Sequence, residues 1–302
     1  MKIMRIPLLI ALGVAIVGII FGSFFDFAIS SAIASSSNAF ALTVSAIMPT
    51  IGFAAVALMG GGFVAFALKG DYPIGLKILF YVLAACCLGV AIFYPHGEYF
   101  GINGFDRPEL DWVGYLIVAP IEIGAMIGGY FLFKDTENKN MWIVFCVIVG
   151  LLLLALLVTI PTIKDNMRRP RFRYIVNHDD VAFHNWWEPF KEYKAYIEAN
   201  PEVAHDHFKS FPSGHTAEVS ILFVGATFFP LASKKFEKYQ LPAFIVASAS
   251  VLFVAFARIL AAAHFLSDVS WGATFLLTLL FIANEVVMRI KALQIPEEPQ
   301  EK

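Results

Sequence analysis

Charge is what this chain is shortest of. Only 15% of its 302 residues are Asp, Glu, Lys or Arg, whereas soluble domains carry about 25%. Hydrophobic residues make up 59% and the mean hydropathy is +0.71, which argues against an ordinary water-soluble globule. A basic excess is missing as well. The net charge of −2 speaks against a nucleic-acid partner, which calls for a positive balance over the whole domain. Cysteine is scarce, and Cys86, Cys87 and Cys146 stand inside apolar runs with no spacing suited to a metal site or a disulfide framework. They read as small hydrophobic filler.

Long apolar runs are what the chain has instead. A bilayer crossing needs about 20 apolar residues, and eight segments approach or reach that length: 6–25, 43–68, 77–95, 112–133, 141–163, 213–233, 241–258 and 265–288. The fold class expected is all-α, a polytopic transmembrane helical bundle of about eight spans forming one integral membrane domain over 1–302. Within it, 6–95 holds the N-terminal helices, 112–288 the chemistry-bearing core, and 164–212 a loop outside the membrane. The first run has a small-residue stretch after it, Ala32-Ile33-Ala34, like a signal-peptide cleavage site. Its length and the intervening Asp26 favour an uncleaved helix.

Lysine and arginine counts set the orientation. One side collects Lys2, Arg5, Lys69, Lys77, Lys134, Lys139, Lys234, Lys235, Lys238, Arg289 and Lys291, while the acidic connection after Pro95 has Arg107 as its only base. Both termini are therefore expected in the cytoplasm. Lys164, Arg168, Arg169, Arg171, Arg173, Lys191, Lys194, Lys209 and Arg258 then fall outside, against the usual bias. Cations that defy the bias suggest another task, here holding an anion. The connection also contains "AFHNWWEPFKEYKAYIEA" (182–199), whose aromatics at near-helical spacing suit an interfacial lid or entrance helix.

The same topology gathers three polar islands on one membrane face: "KDNMRRPRFR" (164–173), "SFPSGHTAEVS" (210–220) and "ARILAAAHFLSD" (257–268). In the second, Pro212 suits a first helical turn, Gly214 lets backbone approach a ligand, and N–H groups at a helix start favour an anion. His215 follows closely enough to exchange a proton with a bound phosphate ester. In the third, His264 and Asp268 are four residues apart and are expected to share a helix face, with the carboxylate fixing the imidazole tautomer. Arg258 adds a planar fork suited to phosphate oxygens. Lys164 and Arg171 supply two more cations at the membrane mouth.

Together the islands resemble the type 2 phosphatidic acid phosphatase superfamily, whose signature is Lys-x6-Arg-Pro, then Pro-Ser-Gly-His, then Ser-Arg-x5-His-x3-Asp. Here these run Lys164 to Arg171, Pro212 to His215 and Arg258 to Asp268, in the same order and spacing. The resemblance covers roughly the fourth to eighth spans. Two positions depart from it, Phe172 for the proline and Ala257 for the serine. The first leaves Arg169 as a rival to Arg171 for the phosphate, with spacing favouring Arg171. The resemblance implies that His264 attacks phosphorus, Asp268 orients it, and His215 protonates the leaving oxygen and later helps water attack. It also implies that Lys164, Arg171, Arg258, Ser213 and the Gly214 N–H hold the phosphate oxygens, with no metal or other cofactor. The implied function is a membrane phosphatase acting on a lipid phosphate or diphosphate, such as phosphatidic acid, phosphatidylglycerophosphate or undecaprenyl diphosphate, at the outer face of the cytoplasmic membrane. A lipid phosphotransferase and a non-catalytic lipid-phosphate binder or flippase are the alternatives. Oligomeric state is not legible.

Four other features stand out. Glu122 sits mid-span beside Pro120, suited to a structural or a substrate-path role. Glu218 follows His215 by three residues, placed to tune that imidazole or bond a helix neighbour. "HDHF" (205–208) and "NHDD" (177–180) carry metal-type ligands without a second half, and read as solvated loop. "GAMIGG" (124–129) reads as a close-packing helix face.

Overall fold

The structure, a computed structural model, describes residues 4–99 and 111–295. Most of the acidic connection after Pro95, Arg107 included, lies outside the described residues. Among those described there are helices and no strands, and seven long apolar helical stretches satisfy the length and composition of a membrane crossing. In order they are α1 (Arg5–Ile33), α2 (Ala39–Lys69), α3 (Ile74–Tyr99), α4 (Asp111–Phe133), a fifth that begins as α5 (Met141–Leu153), and, after the loop and a broken stretch, α11 (Gln240–Leu260) and α12 (Leu266–Arg289). The chain is a polytopic membrane protein. Side chains such as Phe24, Leu116 and Leu252 remain exposed on its flanks, as hydrocarbon contact allows.

The fifth stretch changes pitch on the way. After α5 comes one π-helical turn, Leu154–Thr159, then α6 (Ile160–Met167) and the short α7 (Phe172–Ile175). Pro161 has no N–H to give to the ladder, and a π turn next to it absorbs the missing bond.

The segment expected as one span over 213–233 is not a continuous helix. It comprises α9 (Gly214–Val219), a 3-10 turn (Ser220–Leu222), α10 (Phe223–Phe228) and a further 3-10 turn (Phe229–Leu231). Ser220 Oγ donates back to the Thr216 carbonyl at 2.7 Å, Gly225 sits in the middle, and Pro230 ends the run, all of which loosen helical order. The segment still traverses the bundle. Ser213 N–H bonds the Asp268 carbonyl at one end (3.0 Å), while the Ala232 carbonyl accepts from Glu137 N–H at the other (2.8 Å). It is buried almost throughout, wedged so closely that a Cβ on Gly52 of α2 would fall 2.3 Å from the Glu218 carbonyl oxygen and one on Gly272 of α12 would fall 2.2 Å from that of Ser213. The crossing that carries the second island is thus the inner post of the bundle.

The two ends of the bundle are chemically distinct. At one, Arg5 meets Glu285 (3.4 Å), Tyr72 Oη donates to the Lys139 carbonyl (2.5 Å) and Asn138 Nδ2 to that of Leu293 (2.8 Å). This end gathers the basic connections as expected. At the other, Ser35 N–H bonds the Leu260 carbonyl (2.7 Å), and all three polar islands lie there. α1 lies along α12 because Gly18 and Gly22 have no side chain to hold it off: Cβ atoms there would fall 2.3 Å from Ser270 Oγ and 2.5 Å from Ser267 N. Of the "GAMIGG" face, Gly129 makes the expected close contact, 2.0 Å from a built Cβ to the Leu58 carbonyl, whereas Gly124 meets nothing within 4 Å.

The expected interfacial helix over 182–199 is helical only at α8 (Tyr193–Ala199). Asn185 and Glu188 close a turn through the Glu188 carboxylate (3.0 Å), and Pro189 follows, so helical spacing does not persist. The aromatics divide instead. Trp186 donates to Ser23 Oγ of α1 (2.9 Å), stacks on Phe211 and lies tilted against Trp271, while Phe190, Tyr193 and Tyr196 pack around buried Phe208. Part of the loop thus closes into a small aromatic core of its own.

Candidate active site

His264 lies two residues before α12 begins, so it does not share a helical face with Asp268 as its spacing suggests. Its Nδ1 is 2.6 Å from the backbone carbonyl of Ser210 and 3.8 Å from Asp268 Oδ2. A carbonyl oxygen can only accept, so a neutral His264 carries its proton on Nδ1, leaving Nε2 with its lone pair. The orienting group nearest the imidazole is thus the Ser210 carbonyl, not the carboxylate. Burial pushes the His264 pKa well below the ordinary imidazole value; Asp268 pulls against this, and the Arg258 and Arg171 charges add to it.

Asp268 is engaged elsewhere. Oδ1 accepts from Arg169 Nη1 (2.5 Å), and Oδ2 from Ser210 Oγ (2.5 Å) and the Phe265 N–H (2.9 Å). Arg169, 0% exposed, extends the network: Nη2 donates to Asp26 of α1 (2.9 Å), Nη1 also to Ser267 Oγ (2.9 Å), and Nε to the His184 carbonyl (2.8 Å). Its guanidinium lies 4.3 Å from the Phe265 ring centre. Asp26 in turn accepts from the Ser267 N–H (2.9 Å) and the Ser267 hydroxyl. Arg169 is therefore a structural tie between α1 and α12, with Nε and both terminal nitrogens engaged.

Arg171 is differently placed. Nε and Nη2 bond Asp206 (2.9 and 2.7 Å), while Nη1 is buried without a hydrogen-bond partner among the described residues. Burial alone would raise the Asp206 pKa, but the Arg171 and Arg173 guanidiniums outweigh it and hold the carboxyl below its ordinary value. So "HDHF" supplies the counter-ion of two island cations. Its His207 stacks on Tyr174, as does His178 of "NHDD", and His205 Nδ1 meets the Tyr193 hydroxyl. Among the described residues no group of three His, Cys, Asp or Glu side chains is gathered as a metal site needs.

The second island completes the arrangement. Ser213 caps α9, its Oγ accepting from Thr216 N–H (3.4 Å) and Thr216 Oγ1 (3.1 Å); Pro212 is thus outside the helix, not in its first turn. Gly214 has Lys164 and Glu218 at hand: a Cβ there would lie 3.5 Å from Lys164 Nζ and 3.3 Å from Glu218 Oε1. The His215 and His264 ring centres are 6.5 Å apart, and His215 lies within electrostatic reach of Arg258, Lys164 and Arg171. Arg258 itself is 1% exposed, and its carbonyl accepts from the His264 N–H (3.3 Å).

The structure thus brings together His215, His264, Lys164, Arg171, Arg258, Ser213 and Gly214, and sets Asp268 behind His264. Phe172, where the resemblance expects proline, packs edge-on against Phe27 of α1 and Phe265. Glu122 stays out of the cluster, buried in α4 with neither carboxylate oxygen hydrogen-bonded among the described residues. Three contributors were not singled out by sequence reasoning: Asp26, Ser210 and Ser267. Only Asp26 carried a signal, a carboxylate near the end of an apolar run, where charge is costly without a partner.

The family model described as the PAP2 superfamily matches residues 141–291. No curated protein and no solved structure matches the chain.

Proposed function

The chain belongs to the PAP2 superfamily, and from that membership we propose that it is a membrane phosphatase that releases phosphate from a lipid phosphate or diphosphate through a phosphohistidine. The observation that carries the proposal is the pair of buried imidazoles, 6.5 Å between ring centres, with three cations in electrostatic reach of one of them. One imidazole has a lone pair to attack phosphorus. The other stands beyond, where a leaving oxygen needs a proton.

The steps balance as follows. His264 Nε2 forms a bond to phosphorus as the bond from phosphorus to the lipid oxygen breaks, and His215 gives its proton to that oxygen. Water then attacks the phosphohistidine while His215 takes a proton from it, and phosphate leaves with His264 restored. Arg171 Nη1, Lys164 and Arg258 hold the equatorial oxygens as charge spreads in the transition state. Ser213 and Gly214 line the same place. Asp268 acts one step back, locking Ser210, whose carbonyl orients His264.

The bilayer setting favours a lipid substrate over a soluble ester. The basic end of the bundle is read as cytoplasmic, which puts the site on the outer face of the cytoplasmic membrane. Much of the cationic excess there is neutralised locally, by Asp26 and Asp268 at Arg169 and by Asp206 at Arg171 and Arg173. The test is phosphate release from a panel of monophosphate and diphosphate lipids, in chelator, by wild type and His264→Ala. Release by wild type alone supports the reading. Absence of release from every lipid overturns it, and release that requires a lipid acceptor makes the protein a phosphotransferase.

A further inference from the structure

A groove of about 350 Å³ opens between α1, α11 and α12, floored by the broken crossing. Its three walls descend together from the site toward the middle of the bundle: Gly18 to Ile10 on α1, Ala255 to Phe244 on α11, and Leu266 to Leu277 on α12. Along α12 that descent is roughly 16 Å at 1.5 Å per residue. The upper end abuts the chemistry. Leu266 is two residues after His264, and Thr216, which follows His215, bonds Ser213 Oγ at 3.1 Å. Val14, Ile10 and Leu252 at the mouth are exposed on helices long enough to cross a bilayer.

The lining asks for hydrocarbon. Two of its three hydroxyls are already engaged, Ser248 Oγ with the Phe244 carbonyl at 2.8 Å and Thr216 as above, so an apolar occupant leaves those two satisfied. A second cavity of about 200 Å³, bounded by Phe53, Leu83 and Leu156, is apolar too but is lined by no residue of the three islands. Resting on the phosphatase reading, we infer that the groove holds the hydrocarbon chain of the substrate while its phosphate lies between the histidines. Helix α1, outside the family-matched segment, then forms one wall of the chain subsite and helps set which chain lengths are accepted.

Two plugs at different depths test this. Ala255→Phe blocks the upper end, and Ser248→Phe blocks a level roughly 10 Å lower. The measurement is kcat/KM for phosphate release from alkyl monophosphates of increasing chain length. Wild type should gain with chain length up to a plateau, Ser248→Phe should stop gaining at a shorter chain, and Ala255→Phe should lower the long-to-short ratio about tenfold. Misfolding does not produce two different cut-offs. If both variants scale all chain lengths equally, or keep the wild-type profile, the groove is not the chain site. A second readout needs no turnover: an alkyl phosphate with a photoreactive group at its chain end should label the wild type around Phe244 and Leu277. Labelling in the cavity by Leu83 and Leu156 overturns the inference. A wild type that releases no phosphate but is labelled at Phe244 and Leu277 upholds the groove and overturns the phosphatase reading.

Discussion

Asp26 stands one residue removed from the carboxylate behind His264: it holds Arg169, Arg169 holds Asp268, and Asp268 holds Ser210. The chain of bonds is buried, and replacing Asp26 removes one of the two carboxylates that fix the Arg169 guanidinium. Asp26→Asn is therefore expected to lower kcat about tenfold to a hundredfold with KM little changed, because the phosphate ligands are untouched. Steady-state kinetics on the purified variant checks this, and a fall in affinity alone contradicts it. A second expectation concerns pH. Because burial depresses His264, the proposed nucleophile is expected to stay neutral on acidification past the ordinary imidazole value of about 6.5. The limb of the kcat/KM profile that reports its protonation should then lie below about 6.5, whereas a limb at or above that value speaks against a neutral buried nucleophile. These partners were hard to read in the sequence for a plain reason. The spacing of His264 and Asp268 gives a helical neighbour relation only if both are in the helix, and His264 is not. Asp26 is far away along the chain, and only the fold makes it a neighbour.

Gly18 and Gly22 let α1 lie against the start of α12, and that contact brings Asp26 to the site. Gly22→Ala would put a Cβ 2.5 Å from Ser267 N, backbone that cannot rotate away. Overpacking of this kind costs about 1–3 kcal/mol, so a lower thermal midpoint in detergent should accompany reduced activity; an unchanged midpoint contradicts the close contact. Apolar runs were legible element by element, since a bilayer demands length and hydropathy of each lipid-facing helix. The crossing over 213–233 passed the same reading yet broke into pieces, because an inner post is shielded by neighbouring helices and need not complete its own ladder. Conversely, the aromatics of 182–199 have helical spacing, but Pro189 and the Asn185 turn override it.

Across the whole molecule, the orientation and the chemistry are linked. The three islands share one end of the bundle and the basic connections the other, as the pattern of charges suggested. What the charge count did not reveal is that at least five of the nine stray cations, Arg168, Arg169, Arg171, Arg173 and Lys209, have an acid within salt-bridge distance in the fold. With the basic end in the cytoplasm, a thiol introduced at exposed Ser37 should react with a membrane-impermeant reagent added to intact cells, and one at exposed Lys235 only after the membrane is opened. The reverse pattern would place the site inside. The most direct measurement of the central claim uses a lipid phosphate labelled at phosphorus, mixed with the wild type and His264→Ala and quenched during turnover. The account predicts released phosphate and an acid-labile label on His264 in the wild type, and neither in the variant. Equal release by His264→Ala, or a label on any other residue, would contradict it.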